Sequence, residues 1–439
     1  MIMDRRQFVK NLLISLAGLW VFRKKKNILA AVKSTPTKIL VRQSVPSDVF
    51  LIRNGTPEEN MSRLIDLMGG IESIIGREDI VIIKPNSQWW LQGMTNTDSM
   101  AALIQIILDI PNFKGEIIIA DNHQFQDDNS RGWTTLVPNG RFNLNQLVEY
   151  FQKAGYKNVT KYHWHDGGSN PSPMQGDAFG DSVVSGPEAG DGYVWDENNY
   201  YLARNGNKCV MTYPIMTSSY SGITIDLKNG AFENGKYTEQ PVKFVNMPSL
   251  NHHGAYCGVT ASVKNLMGVV DMSCGFPAPQ PKETFNTHYV GLTSPFWERF
   301  RRTANFHWRA RDMMNRFLKE TDLVEFHHTG GALGYWIQNV RKPDLSIITA
   351  DWVGYGSRIV KALSARPKAL VASTDPVAAD FIAAQKVLLP VTKEHAPKSR
   401  YVQLNDPDNP DGPFYKFLEY AARECGGNRE NSSIRVIES

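Results

Sequence analysis

Residues 245–268 read VNMPSLNHHGAYCGVTASVKNLMG. His252 and His253 follow a short apolar run that ends at Asn246, and Lys264 and Asn265 sit side by side in a helical pattern opened near Thr260. An imidazole titrates near neutral pH, which makes His253 the candidate general acid or base. Lys264 offers a cation to a carboxylate or phosphate of a ligand, or to Asp351 or Asp375. Asn246, His252 and Asn265 supply donors and acceptors for a ligand, and His252 reads equally well as a structural histidine. Lys84 directly follows a buried apolar strand, a position suited to binding an anion or orienting a substrate. Asn86, two residues on, either contacts the ligand or makes the turn with Pro85.

Metal chemistry is a second expectation. Asp121, Asp351 and Asp375 suit a divalent cation. His163 and His165 alternate, so an extended segment points both to one side, and imidazoles favour zinc, iron or nickel. Asp375 before Pro376 also reads as a helix N-cap with proline at the first helical position. The expected cofactor is a divalent metal ion. No iron–sulfur cluster is expected within the chain, because Cys209, Cys257, Cys274 and Cys425 are widely spaced and form no CxxC pair.

These residues need a frame. Apolar runs at Lys38–Val41, Ile80–Ile83, Ile117–Ala120, Val159–Tyr162, Val242–Val245, Leu345–Thr349 and Ala369–Ala372 read as strands. Helical patterns cover Leu64–Ile75, Ser99–Leu108, Leu144–Ala154, Val377–Leu388 and Pro413–Arg423. Near-continuous apolar strands alternating with helices give an α/β fold class: a mostly parallel sheet with helices on both faces. Ligands of such sheets bind beyond the carboxyl ends of the strands. Those ends carry Lys84 and Asn86; Asp121, Asn122 and His123; His163, His165 and Asp166; Asn246, His252 and His253; Asp351; and Asp375. One shared crevice is the expectation.

Two stretches interrupt the rhythm. Residues 167–240, with runs such as YYLA and CVMTYPI, read as an inserted irregular or antiparallel region. Residues 277–340, rich in arginine and aromatics, read as a second insertion or a lid. The domain proper is expected over 34–425, with 426–439 as a C-terminal tail. No dinucleotide fingerprint, phosphate loop, nucleophile elbow or HExxH is present.

Residues 1–33 read as a leader. Arg5-Arg6 and Phe8 precede an apolar run from Leu12 to Phe22, too short for an ordinary membrane span. The pattern resembles a twin-arginine export signal, with the export machinery as partner and the periplasm or cell envelope as destination. An uncleaved leader would serve as an N-terminal or peripheral membrane tether. The leader holds eight of the 48 basic side chains and one of the 44 acidic ones, so the formal charge of +4 turns negative for the remainder. Nucleic acid is therefore not an expected partner.

Four stretches resemble the family catalogued as domain of unknown function 362. They are Val49–Asn86, with its ending Lys84-Pro85-Asn86; Asn246–Gly268, with Pro248, His253, Gly254, Lys264-Asn265 and Gly268; Leu345–Asp351; and Ser373–Asp380, a DPVAxD element. The resemblance spans about 40–425 and implies the site map rather than a reaction. Relatives often carry lysines where this chain has Ser249 and Asn251, which implies a less basic crevice here. Twin-arginine leaders are common among relatives. Some relatives carry a ferredoxin-like portion with clustered cysteines, which this chain lacks. Three readings stand: an exported, metal-assisted enzyme acting on a small molecule; a non-catalytic periplasmic or surface protein binding a small molecule or metal; and a redox accessory protein partnering an iron–sulfur protein.

Overall fold

The computed structural model describes residues 45–122, 133, 135–164, 183–204, 206–271, 283–284, 287, 290–291 and 327–439. The leader, the expected strand Lys38–Val41, His123, His165, Asp166, Cys274 and most of 277–340 lie outside the described residues. Residues 44–439 form one compact unit.

Its main sheet has the order β16–β1–β15–β14–β10–β2–β3–β4. The strands are β1 (Ser47–Arg53), β2 (Ile80–Pro85), β3 (Glu116–Asp121), β4 (Val159–His163), β10 (Val242–Met247), β14 (Leu345–Gly354), β15 (Ala369–Ser373) and β16 (Ile434–Glu438). Every neighbouring pair is parallel except those made by β15, which runs against both β1 and β14. The sheet is thus mostly parallel, with one reversed strand. The expected tail 426–439 supplies the edge strand β16, paired with β1 from Ser47↔Ile434 to Leu51↔Glu438.

Alternate residues of β2 enter two apolar clusters. Ile80 and Ile82 join one, and Val81 and Ile83 the other. The second cluster also holds residues of α1 (Pro57–Leu67), α2 (Thr97–Leu108) and α3 (Leu144–Lys153), among them Leu64, Leu103 and Leu147. Helix α1 starts on a capping box of Thr56 and Glu59 with Pro57 at its first position. It ends before Gly69 and Gly70, both at positive φ, so the expected helix through Ile75 stops about two turns early.

The region 167–240 contributes an antiparallel sheet of β5 (Gly192–Leu202), β6 (Lys208–Thr217), β7 (Thr224–Asp226), β8 (Gly230–Glu233) and β9 (Lys236–Tyr237). The two-residue β13 (Glu283–Thr284) pairs in parallel with β6.

After β10 the chain jogs at Pro248 into a hairpin of β11 (Ser249–Gly254) and β12 (Gly258–Thr260), with β11 paired to the far half of β14. The short helix α4 (Ser262–Asn265) then turns back onto the sheet. Later helices are α5 (His327–Asn339), α6 (Pro376–Ile382), α7 (Leu389–His395), α8 (Tyr401–Asn405) and α9 (Pro413–Cys425). Among the described residues no helix is long and apolar enough to cross a membrane.

Candidate functional site

Neighbouring strands set a row of polar side chains side by side across the sheet. Lys84 on β2 is level with Asn246 on β10, Asn246 with Ser346 on β14, and Ser346 with Ser373 on β15. Helix α4 lies against this row. Asn246 Nδ2 donates to the Ser262 carbonyl and hydroxyl, both at 2.9 Å, and Ser262 Oγ donates to Ser346 Oγ at 2.7 Å. Asn265 Nδ2 donates to Asn246 Oδ1 at 2.8 Å. The amides of Ser262 and Val263, open at the start of α4, donate to the carboxylate of Asp380 at 2.5 and 3.0 Å. Burial pushes the Asp380 carboxyl up to about 8, against the pull of those two amides.

Lys84 is wholly inside. Its amine reaches Asp121 Oδ1 at 2.8 Å, Asn265 Oδ1 at 3.1 Å and the Pro85 carbonyl at 2.8 Å. An ammonium has three hydrogens, and all three are engaged. Asp121 is engaged to the same degree: Asn122 N donates to Oδ1 at 2.9 Å, and Ser87 N and Oγ donate to Oδ2 at 2.9 and 2.7 Å. Burial lowers the Lys84 pKa and Asp121 raises it, with burial the larger influence. The expected anion-binding lysine is therefore a brace between β2, β3 and α4. Asn86 closes the following loop through its backbone, its N–H donating to Thr95 Oγ1 at 2.7 Å and its carbonyl accepting from Thr95 N at 3.1 Å.

Lys264 has a different environment. It is 5% exposed, its amine approaches Met267 Sδ, and it lies 5.5 Å from the centre of the Tyr256 ring. Among the described residues no carboxylate pairs with it. Burial brings its pKa down to about 8; Cys257 opposes the shift, and Arg358 and Lys84 add smaller lowering influences. Cys257 is a buried thiol that donates to the Val259 carbonyl at 3.4 Å and is itself pushed up to about 12 by burial. His253 bonds Thr260 Oγ1 through Nδ1, and its ring stands 5.7 Å from the same Tyr256 ring. Tyr256 thus neighbours both candidate catalytic side chains.

His252 does not join them. Its Nδ1 donates to Asn405 Oδ1 at 2.6 Å and its Nε2 accepts from Gly254 N at 3.1 Å, with the Tyr401 ring tilted against it 4.7 Å away. Asn405 Nδ2 is spent on Tyr355 O and Thr392 Oγ1, which fixes its oxygen as the acceptor and the imidazole as neutral. Burial lowers the pKa to about 4, opposed by Asn405 and assisted by Arg400 and Arg358. A histidine depressed in the fold contributes stability above its unfolded pKa and loses it as pH falls through the folded one. Urea titrations should therefore show a loss on the order of 3 kcal/mol between about pH 6.5 and pH 4 that is absent in His252→Gln.

The proposed metal ligands do not converge. Asp121 serves Lys84. Strand β14 runs on to Gly354, so Asp351 lies inside it rather than at its end, 3.2 Å from Arg366. Because β15 is reversed, Asp375 falls at the opposite edge of the sheet. There it caps α6 through Val377 N and Ala378 N, and accepts from Ser47 Oγ at 2.7 Å and Asn428 N at 2.8 Å. A cavity of about 450 Å³ at that edge is lined by Asp375, Lys342, Thr374 and Cys425, away from the Lys264 cluster. His163 sits level with Asp121 on the neighbouring strand, its ring tilted against that of Trp133 at 3.9 Å. Among the described residues no group of three or more His, Cys, Asp or Glu has metal-binding geometry.

Ser249 and Asn251, where lysines were the alternative, are buried clamps. Ser249 Oγ donates to the Gly93 carbonyl at 3.1 Å and Asn251 Nδ2 to the Gln92 carbonyl at 2.8 Å, while Asn251 Oδ1 accepts from Gly354 N at 2.8 Å. They tie β11 to the 91–93 turn and to the end of β14. Three participants were missed by the sequence reading: Tyr256, Asp380 and Arg358. Asp380 had a signal in the DPVAxD element. Arg358 was hidden because the strand before it was ended five residues early.

Residues 212–385 match the model of a family described as a domain of unknown function (DUF362). That stretch holds His253, Tyr256, Lys264, Arg358 and Asp380, and leaves out Lys84 and Asp121 on the preceding strands. No curated protein and no solved structure matches the chain.

Proposed function

We propose that the protein is an exported enzyme acting on a small molecule at the carboxyl ends of the strands, with Lys264 as the group that exchanges a proton with the substrate. The observation that carries this reading is the Lys264 amine, buried against a thioether and an aromatic ring and brought down to about 8. An amine in that range is partly unprotonated near neutral pH and serves as a general base. His253, 5.7 Å from the same Tyr256 ring, supplies the partner for the return of the proton. In this reading the sheet carries helices on both faces, since each of the two apolar clusters flanking β2 includes helix residues. The twin-arginine pattern at Arg5-Arg6 supports a periplasmic or cell-envelope location.

The test is the pH dependence of reductive methylation at each lysine, read by mass spectrometry on the intact protein. Lys264 should react with a midpoint near 8, well below the ordinary lysine value of about 10.4. A midpoint at the ordinary value would sink the reading. A buried amine lacking a carboxylate also costs stability. Lys264→Met should therefore raise stability by about 1–3 kcal/mol, measured in urea. A residue kept at a cost to the fold is kept for its chemistry, and a destabilised Lys264→Met would make it a structural element instead.

A further inference from the structure

A second cation stands beside the Lys264 cluster. Arg358 follows β14 on a loop pinned to the 91–93 turn, where Gln92 Nε2 donates to the carbonyls of Ser357 at 3.1 Å and Val360 at 3.2 Å. Its guanidinium lies 4.7 Å from the centre of the Trp89 ring. The same loop is tied to the hairpin that carries His253 and Tyr256, because Gly354 N donates to Asn251 Oδ1 and Asn251 is level with Thr260 of β12. Two cation–aromatic pairs, Arg358 on Trp89 and Lys264 on Tyr256, therefore flank one hairpin at one sheet edge. The electrostatic influence of Arg358 on Lys264, Cys257 and His252 is consistent with that proximity.

The surroundings add to the positive field. Residues 355–368 and 393–400 adjoin through the stacked rings of Tyr355 and His395, 5.3 Å apart. They carry the exposed cations Lys361, Arg366, Lys368, Lys393, Lys398 and Arg400, and the one acid within them is Glu394. Asp351 offsets Arg366. A rim of one sign raises the local concentration of the opposite sign and speeds its capture.

We infer that the ligand of this site is a small planar carboxylate, gripped by the Arg358 guanidinium and sandwiched by aromatic side chains so that its reacting atom meets Lys264. A guanidinium offers a flat fork that matches a carboxylate, and an indole beneath the fork holds its plane. Flat aromatic walls at Trp89 and Tyr256 select a flat ligand. The basic character that Ser249 and Asn251 do not provide comes from Arg358, one strand over. The inference rests on Lys264 as the reacting group.

The experiment is protection of Lys264 in the full chain against reductive methylation, with benzoate, its neutral isostere benzamide, and inorganic phosphate as probes. Benzoate should slow modification at Lys264 by about tenfold at saturation, with little effect from benzamide or phosphate. Added salt should weaken that protection. Arg358→Gln should remove the protection by benzoate while Lys264 stays reactive, and Arg358→Lys should restore it only in part. Equal protection by benzamide, stronger protection by phosphate, or no protection by benzoate with Lys264 still reacting near pH 8 would each overturn the ligand class and leave Lys264 as the reacting group. Unreactive Lys264 without any probe overturns the underlying reading instead.

Discussion

Asp121→Ala is expected to lower the stability of the fold by about 3–5 kcal/mol, seen as a fall in the urea midpoint at an unchanged slope. The side chains of Lys84 and Asp121 are 1% and 3% exposed, so neither charge has water to fall back on. Removing the carboxylate leaves an ammonium among Asn265 Oδ1 and the Pro85 carbonyl, with burial no longer opposed by an anion. Part of the cost is recovered if Lys84 gives up its proton, which makes the loss greater at low pH than at high pH. The double variant Lys84→Met with Asp121→Leu should recover most of the stability, because a well-packed apolar pair avoids the desolvation of two ions. A loss under about 1 kcal/mol in Asp121→Ala would mean that the pair is solvated, contrary to its geometry.

That brace matters to the site because of what it holds. Lys84 meets Asn265, and Asn265 is the residue after Lys264 on α4. Lys84 also repels Lys264 and helps keep its amine near neutrality. The two lysines thus divide the labour: one is locked in a saturated network, and the other is left with an aromatic face. In the sequence each reads as a candidate site lysine, Lys84 after an apolar strand and Lys264 in a helical pattern. The difference arises from Asp121, which comes from a strand about 35 residues away from Lys84 and reaches it only because β2 and β3 are neighbours in register. Residue type and local spacing carry no information of that kind.

The pattern of apolar runs located β2, β3, β4, β10, β14 and β15 within a few residues. It could not orient β15, because a buried strand reads the same in both directions. A clue was present in the connection: no helical pattern lies between Asp351 and Ala369, whereas a parallel crossover usually includes a helix. Missing it placed Asp375 in the crevice when it belongs to the opposite edge. Strands β1 and β16 escaped for another reason. Both lie toward the sheet margin, where β16 is only partly buried and five residues long, so its alternation was too brief to rise above a polar tail. His252 and His253 show the same limit at closer range. Adjacent residues of a strand face opposite ways, so one imidazole packs against α8 while the other faces Tyr256.

Gly268→Ala should be about as damaging as the loss of Asp121, at roughly 3–5 kcal/mol. The backbone of Gly268 passes directly over the ion pair. A Cβ there would stand 2.3 Å from both Lys84 Nζ and Asp121 Oδ1. Its φ is not in the left-handed region, so the cost is contact rather than backbone strain. Neither partner has room to yield, since the amine holds three acceptors and the carboxylate four donors. The Gly268 carbonyl also accepts from Asn122 N at 3.2 Å, which ties the turn to the end of β3. Moving the turn outward would drag α4, and Lys264 with it. The decisive measurement is therefore coupling. In a Lys84→Leu, Asp121→Ala background, which clears both contacted atoms, Gly268→Ala should cost no more than about 1 kcal/mol. The same penalty in both backgrounds would show that the glycine answers to something other than the pair. Where the penalty does collapse, the midpoint of Lys264 methylation in Gly268→Ala should also move upward, because a displaced α4 lets water reach the amine.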